Sequence, residues 1–371
     1  MKKNNSCLII TPIIAHYRYE LLKSFSDLNI NITIASDFYK SKKIKTLTIS
    51  ELSKIDTKFE FIELKNINLF GNIYFQKGLF KALIKKEIKN IVAVGNIYNL
   101  SIWMILIFKK FLKINITLWT HGNLCGNKNF KYRIKNLMYS FSDKVVFYEK
   151  RSEDFFKRDF PKKPAAVCYN SFKYFEFKHL RISENKSDNK LNRNINYFCF
   201  VGRLTPEKSL SMIIKSLNYI QNTIKLNVGF VFIGDGPEKN NLEIQCKKYK
   251  LKNIEFIEPL YDSSEIHEIC KFSKGLVSPG NVGLSAITAL SCGIPVITHD
   301  NLCNQMPEVG ALVKGKTGYF FKENNFIELS NVLVKLLNSA FNYETLCYET
   351  LDTNYNPNKQ SHELFKQYLN K

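Results

Sequence analysis

Short apolar runs alternate with amphipathic stretches along most of the chain. Residues 7–11, 31–35, 90–94, 114–119, 144–148 and 165–168 are brief runs rich in Ile, Val and Leu, each closed by a polar or glycine-containing loop. Such runs read as strands buried on both faces. Residues 59–64 are a further candidate strand. Helical spacing of apolar residues falls between them, at 19–25, 78–89, around Trp103, at 131–140 and at 150–157. Strand and helix in strict alternation predict a parallel sheet with helices on its faces. Ligands of such sheets sit beyond the carboxyl ends of the strands.

Residues 179–196 are polar and almost free of apolar side chains, which predicts a linker. A second alternation follows. Strands are expected at 197–201, 228–233, 254–257, 275–278, 296–297 and 317–321, with helices at 210–217, 240–249, 264–270 and 325–337. An amphipathic helix at 361–369 ends the chain. The expected organisation is α/β throughout: a first domain at 1–178, a linker at 179–196 and a second domain at 197–350. A C-terminal helical segment at 351–371 is expected to pack back on the first domain.

One stretch of the second domain, residues 277–297, organises the rest. A strand end meets the turn residues Pro279, Gly280 and Asn281. A helical pattern starts at Val282 and runs through Leu284, Ile287 and Leu290. Gly293 suits the helix C-terminus and Pro295 stops it. A glycine loop feeding a helix N-terminus can bind an anion, because free N–H groups and the helix dipole face the loop. The same pattern also describes an ordinary βαβ turn.

Charge then narrows the partners. Lys and Arg number 54 against 33 Asp and Glu, a formal net charge of +21. That excess points to nucleic acid, an anionic membrane or a phosphorylated substrate. The nine cysteines form no C-x-x-C pair and no Cys/His cluster, so they read as buried thiols in a reducing compartment. The longest apolar run, residues 100–108, falls short of the ~20 residues of a spanning helix. It predicts a buried helix, with the basic excess holding the protein at an anionic bilayer surface.

Candidate chemistry lies at strand ends. Arg203 and Lys208 flank the loop after the strand at 197–201, where two cations can neutralise a diphosphate; solvated surface cations would look the same. The turn Gly234-Asp-Gly-Pro237 is not a dinucleotide fingerprint, because no G-x-G-x-x-G follows this strand or the first one. His121, next to Gly122, can donate a hydrogen bond to a sugar or phosphate or simply face water. His16 and Arg18 in the first strand-end loop carry the same ambiguity. The basic helix at 131–138 reads as a solvated face or a contact for phosphates.

As a set, these pieces resemble the retaining glycosyltransferases of family 4, which have the GT-B fold of two Rossmann-like domains with parallel, doubly wound sheets and an interdomain cleft. The matching parts are Val201-Gly-Arg-Leu followed by Lys208, Phe232-Ile-Gly-Asp-Gly-Pro237, the stretch Ser278 to Ile297, Pro307-Glu308-Val309 and Thr317-Gly318. The first domain matches more loosely, through Pro12, His16-Tyr-Arg18, Thr120-His-Gly122 and Asn170-Ser171. The resemblance implies that Arg203 and Lys208 hold a donor diphosphate. It implies a cradle of Gly280, Asn281, Val282, Gly283, Leu284 and Ser285, with Thr288 near the donor ribose and Glu308 in the donor set. Pro259 and Leu260 would flank the base, His121 would touch the transferred sugar, and His16 and Arg18 would face the acceptor. No metal and no cofactor are implied beyond the UDP- or GDP-linked co-substrate. The chain departs from the family at two positions: where the family carries two glutamates eight residues apart, Gly280 and Thr288 stand.

The expected function is transfer of a sugar, with retention, to a growing surface glycan of O-antigen or capsule type. The acceptor would be a glycan or a polyprenyl-diphosphate-linked saccharide. The protein would sit at the inner face of the cytoplasmic membrane. A nucleic-acid binder is the first rival; it would need a continuous basic stripe with stacking aromatics, whereas the cations here sit at loop ends. Nucleic acid is therefore not expected as a partner. A phosphorylase or epimerase of the same fold is the second rival.

Overall fold

The computed structural model describes residues 6–28, 30–39, 45–56, 58–86, 88–124, 129–182 and 194–369. Its contacts divide the chain into two units, Met1–Ser171 with Pro357–Lys371, and Phe172–Asn356.

In the first unit the strands are β1 (Ser6–Ile10), β2 (Asn31–Ser36), β3 (Glu60–Glu63), β4 (Lys65–Phe70), β5 (Ile73–Lys77), β6 (Asn90–Val94), β7 (Asn115–Thr120), β8 (Lys144–Phe147) and β9 (Ala165–Val167). Seven of them form one sheet in the order β3-β2-β1-β6-β7-β8-β9, parallel throughout. The sheet turns at β1, where the chain reverses its direction of travel across it. Its two faces carry separate cores. Leu21, Phe25 and Ile34 belong to one, with Phe365. Ile91, Ile105, Leu118 and Met138 belong to the other. β4 and β5 form an antiparallel hairpin outside the sheet. The sequence reading missed this hairpin: its outward residues are mostly exposed, so no buried apolar run announces it.

The second unit has β10 (Asn196–Val201), β11 (Val228–Ile233), β12 (Ile254–Ile257), β13 (Ser273–Ser278), β14 (Val296–His299) and β15 (Gly318–Phe321). They form a second parallel sheet, ordered β12-β11-β10-β13-β14-β15. Its switch point lies between β10 and β13, so the loops after these two strands face each other at the carboxyl edge.

Two boundaries differ from the sequence expectation. The units part after Ser171 rather than at 178/179. The cause is the helix Tyr174–Ile182, which the linker reading had partly absorbed. Arg181 pairs with Asp352 and lies 4.2 Å from the Tyr348 ring, and the Tyr174 hydroxyl donates to Asp352 at 2.8 Å, tying the helix to the second unit. The expected segment 351–371 is two pieces. The helix Glu344–Asn354 stays with the second unit, and Pro357, which cannot continue it, opens the helix Pro357–Leu369. That helix packs on the helix Tyr19–Phe25, with Phe25 and Phe365 edge to face at 4.9 Å. Most of the expected linker, residues 183–193, lies outside the described residues.

Candidate active site

The second unit builds a tight corner from backbone. β10 ends at Val201, and the loop Gly202 to Lys208 closes in a 3-10 turn at Pro206–Lys208. The Gly234-Asp-Gly turn after β11 presses against this loop. A Cβ on Gly234 would lie 1.9 Å from the Gly202 carbonyl oxygen, and one on Gly236 would lie 2.4 Å from that of Leu204. Both glycines also have φ above +140°, which L side chains rarely adopt. The Leu204 N–H donates to the Asp235 carbonyl at 2.9 Å. The Gly-Asp-Gly motif is thus a backbone clamp on the loop that carries Arg203 and Lys208.

The loop after β13 meets the same corner. The Gly280 N–H donates to the Lys208 carbonyl at 2.9 Å, and a Cβ at 280 would lie 2.1 Å from the Glu207 carbonyl oxygen. A side chain has no room at position 280 as the corner stands. The Lys208 ammonium donates to the Asn281 carbonyl at 2.8 Å and to Asn281 Oδ1 at 2.6 Å. Its pKa is lowered, first by desolvation; Arg203 lowers it further while Glu207 and Glu308 act to hold the charge. Glu308 is only 4% exposed, on the turn Pro307–Ala311. Arg203 is exposed.

Gln305 and Thr298, neither of them expected from the sequence, brace this loop. Gln305 accepts from the Val282 N–H at 2.8 Å and donates to Thr298 Oγ1 at 2.8 Å and to the His299 carbonyl at 3.1 Å. Thr298 Oγ1 donates to the Ser278 carbonyl at 2.8 Å. Both residues stand outside any recognisable motif, and only the fold brings them to the loop.

The expected cradle is therefore corrected in part. The N–H groups of Gly280 and Val282 are taken inside the protein, and the helix starts at Ser285, not at Val282. Among the described residues no hydrogen bond takes the N–H groups of Gly283, Leu284 and Ser285. Thr288 does not open on the loop: it is 3% exposed and its hydroxyl donates to the Leu284 carbonyl at 3.3 Å, one turn back. Pro259 and Leu260 follow β12, in the partly open turn before Tyr261.

The first unit builds its candidate pocket from rings. The Arg18 guanidinium lies 4.1 Å from the centroid of Trp119 on β7 and donates to the Tyr148 hydroxyl at 2.6 Å, just past β8. Arg18 Nη1 is buried with no hydrogen-bond partner among the described residues. His121 packs against Tyr148, ring centroids 4.7 Å apart. Its loop is held by Ser152, whose hydroxyl donates to the His121 carbonyl at 3.1 Å, and by Lys135, which donates to the Gly122 carbonyl at 2.6 Å. Gly122 has φ +70°, and a Cβ there would lie 2.4 Å from that of Ser152. The His121 imidazole is pushed down to about 4, by desolvation first and then by Arg18 and Lys135. The residue keeps an exposed edge, so water lessens the first cause and the two cations sustain the direction. His121 is neutral near pH 7 and can donate or accept one hydrogen bond. His16, expected beside Arg18, turns its Nδ1 to the Lys45 carbonyl at 3.2 Å. Trp119 and Tyr148 were not singled out in the sequence, although both sit at strand ends.

Residues 181–349 match the family model of the glycosyl transferases group 1. This part of the chain is similar to the glycosyl transferases group 1. The chain is 25% identical over 348 residues to an uncharacterized glycosyltransferase, MJ1178, of Methanocaldococcus jannaschii, covering 88% of this chain and 85% of that one. It is also 25% identical over 253 residues to a Campylobacter jejuni α-1,4-N-acetyl-D-galactosaminyltransferase whose name gives an undecaprenol-diphosphate-linked saccharide, covering 67% of this chain and 65% of that one. The solved structure of HepE from Anabaena in complex with UDP superposes with a TM-score of 0.69 at 12% identity, over 99% of this chain and 100% of that one. The chain thus has the GT-B fold, as the sequence resemblance implied.

Proposed function

We propose that this glycosyltransferase moves a sugar from a UDP- or GDP-linked donor to a growing, lipid-linked surface glycan, with retention at the anomeric carbon and without a metal. One observation carries the reading: the loops after β10 and β13 converge on a corner where Lys208 bonds Asn281, two residues before the N–H groups of Gly283, Leu284 and Ser285, which no hydrogen bond takes among the described residues. The leaving group of such a reaction is a nucleoside diphosphate, whose negative charge grows as the glycosidic bond breaks. Fixed cations and N–H groups aimed at that charge stabilise the transition state more than the ground state. Lys208 fills this role, with exposed Arg203 able to bind the diphosphate bidentately.

Neutral His121 would hydrogen-bond the transferred sugar. Arg18, with one buried nitrogen still unpartnered, would receive a phosphate of the acceptor, and this supports a diphosphate-linked lipid. The Campylobacter relative's name points the same way. No helix among the described residues is long and apolar enough to cross a membrane, and the +21 charge supports a peripheral site on an anionic leaflet.

The test is a panel of UDP- and GDP-sugars incubated with the protein and polyprenyl-diphosphate-linked oligosaccharides, read by mass spectrometry and by the anomeric coupling constant of the product. Transfer with retained configuration, unaffected by EDTA, is expected. An inverted product would contradict the proposed stereochemistry, and transfer that stops with EDTA the metal-free reading.

A further inference from the structure

One helix of the first unit is apolar on both sides. Along Leu100–Leu112, Ile102, Ile105 and Leu106 are buried in the core under the sheet. On the opposite side Met104, Ile107, Phe108 and Phe111 recur at helical spacing and are exposed, Phe111 at 86%. A surface helix of a water-facing protein carries polar residues there. Its neighbours repeat the feature. The helix Leu79–Lys86 exposes Ile84, and the helix Phe130–Phe141 exposes Phe130 at 78%. All three helices send their inner residues into the same core on one face of the seven-stranded sheet, so their outer sides lie in one layer.

The charge here is mostly basic, with Asp143 set against Lys109 and Asp159 against Tyr132 and Asn136. From Lys65 to Ser142 the sequence holds thirteen Lys or Arg and one acidic residue, Glu87. Lys77, Lys81, Lys110, Lys113, Lys131 and Arg133, on these helices or next to their ends, are exposed. Large apolar side chains together with long cationic ones match the boundary between lipid headgroups and acyl chains, where lysines reach phosphates and aromatics sit beneath them.

We propose that this layer docks on an anionic lipid bilayer, Phe108 and Phe111 entering the headgroup region while Lys110 and Lys113 pair with lipid phosphates. The proposal rests on the lipid-linked acceptor reading and adds to it the surface that meets the membrane. It also changes the expected salt response. A purely electrostatic contact is screened away in high salt, whereas inserted aromatics are not.

The full chain is floated with vesicles of phosphatidylcholine alone and with about 30 mol % phosphatidylglycerol, a membrane of anionic surface potential. Binding to the anionic vesicles is expected, with part of it surviving about 1 M NaCl, where the screening length is a few Å. The double variant Phe108→Asp/Phe111→Asp should bind at least about tenfold more weakly, through loss of its buried apolar contact. Lys110→Glu/Lys113→Glu, at exposed positions, should lose the preference for anionic lipid; it keeps the test open should the aspartate variant misfold. Both variants should bind nucleotide and act on a detergent-solubilised acceptor as the wild type does. Wild-type vesicle binding in both variants overturns the proposal, as does absence of vesicle binding with self-association that the aspartates abolish. Failure here with intact transfer leaves the glycosyltransferase reading standing.

Discussion

The two candidate sites, one in each unit, are built in opposite ways. In the second unit, backbone touches backbone: the Gly234 and Gly280 positions admit no Cβ, and Lys208 is fixed through the loop it abuts. In the first unit, side chains do the building: Arg18 stacks on Trp119, bonds Tyr148, and Tyr148 carries His121. Geometry set by backbone contact tolerates no added atom, while geometry set by side-chain stacking can be taken apart one group at a time. Gly122 is tight as well, but against the side chains of Ser152 and Phe147 rather than against backbone.

The strongest way to break this comparison is at Gly234. Gly234→Ala should destabilise the protein by about 3 kcal/mol or more, from overpacking against the Gly202 carbonyl plus an unfavourable φ. Denaturant unfolding followed by circular dichroism measures it, and a cost below about 1 kcal/mol would mean the corner is soft.

Arg18→Met should cost less, about 1–2 kcal/mol for one cation–π contact and one hydrogen bond. Its sharper signature is at His121. With Arg18 gone, the imidazole should titrate closer to its ordinary value than the about 4 of the wild type, as followed by NMR. An unmoved titration would mean the two groups do not interact.

The same histidine gives the wild type a pH dependence. A His whose folded value lies below its unfolded value of about 6.5 takes up a proton on unfolding in the interval between them. Its contribution to stability is present above about pH 6.5 and is lost as pH falls toward about 4. The wild type should therefore lose more stability across that interval than His121→Gln does. Equal slopes would show that the imidazole is not depressed in solution.

The smallest effect is expected at Thr288. With its hydroxyl turned back to Leu284, Thr288→Val should change nucleotide affinity by less than about 0.5 kcal/mol, below the usual worth of a hydrogen bond. A larger loss by calorimetry would restore a ribose contact at this position.

Much of this was legible beforehand, for reasons that differ by element. The buried parallel strands declare themselves as continuous apolar runs, and Val228–Ile233 is buried at every residue. The hairpin β4–β5 stayed hidden because it makes little core. Arg203, Lys208 and the glycine loop were readable from spacing, since strand ends and turn residues fix where backbone must bend. Gln305 and Thr298 were not, because their role depends on β14 and the following loop folding back on residue 282. Gly280 was legible as a turn residue, but the Glu207 carbonyl that leaves no room for a side chain there was visible only in three dimensions.

The central claim is that the donor is held chiefly by its diphosphate, at Lys208 and the loop Gly283–Ser285. Calorimetry of UDP, GDP and the two bare nucleosides against the wild type and Lys208→Met tests it most directly. The account predicts that one diphosphate binds and its nucleoside binds very poorly. It also predicts that Lys208→Met weakens the diphosphate by about 1.5–3 kcal/mol, the worth of a charge-assisted hydrogen bond. A nucleoside that binds as tightly as its diphosphate, or a Lys208→Met variant with unchanged affinity, would contradict it.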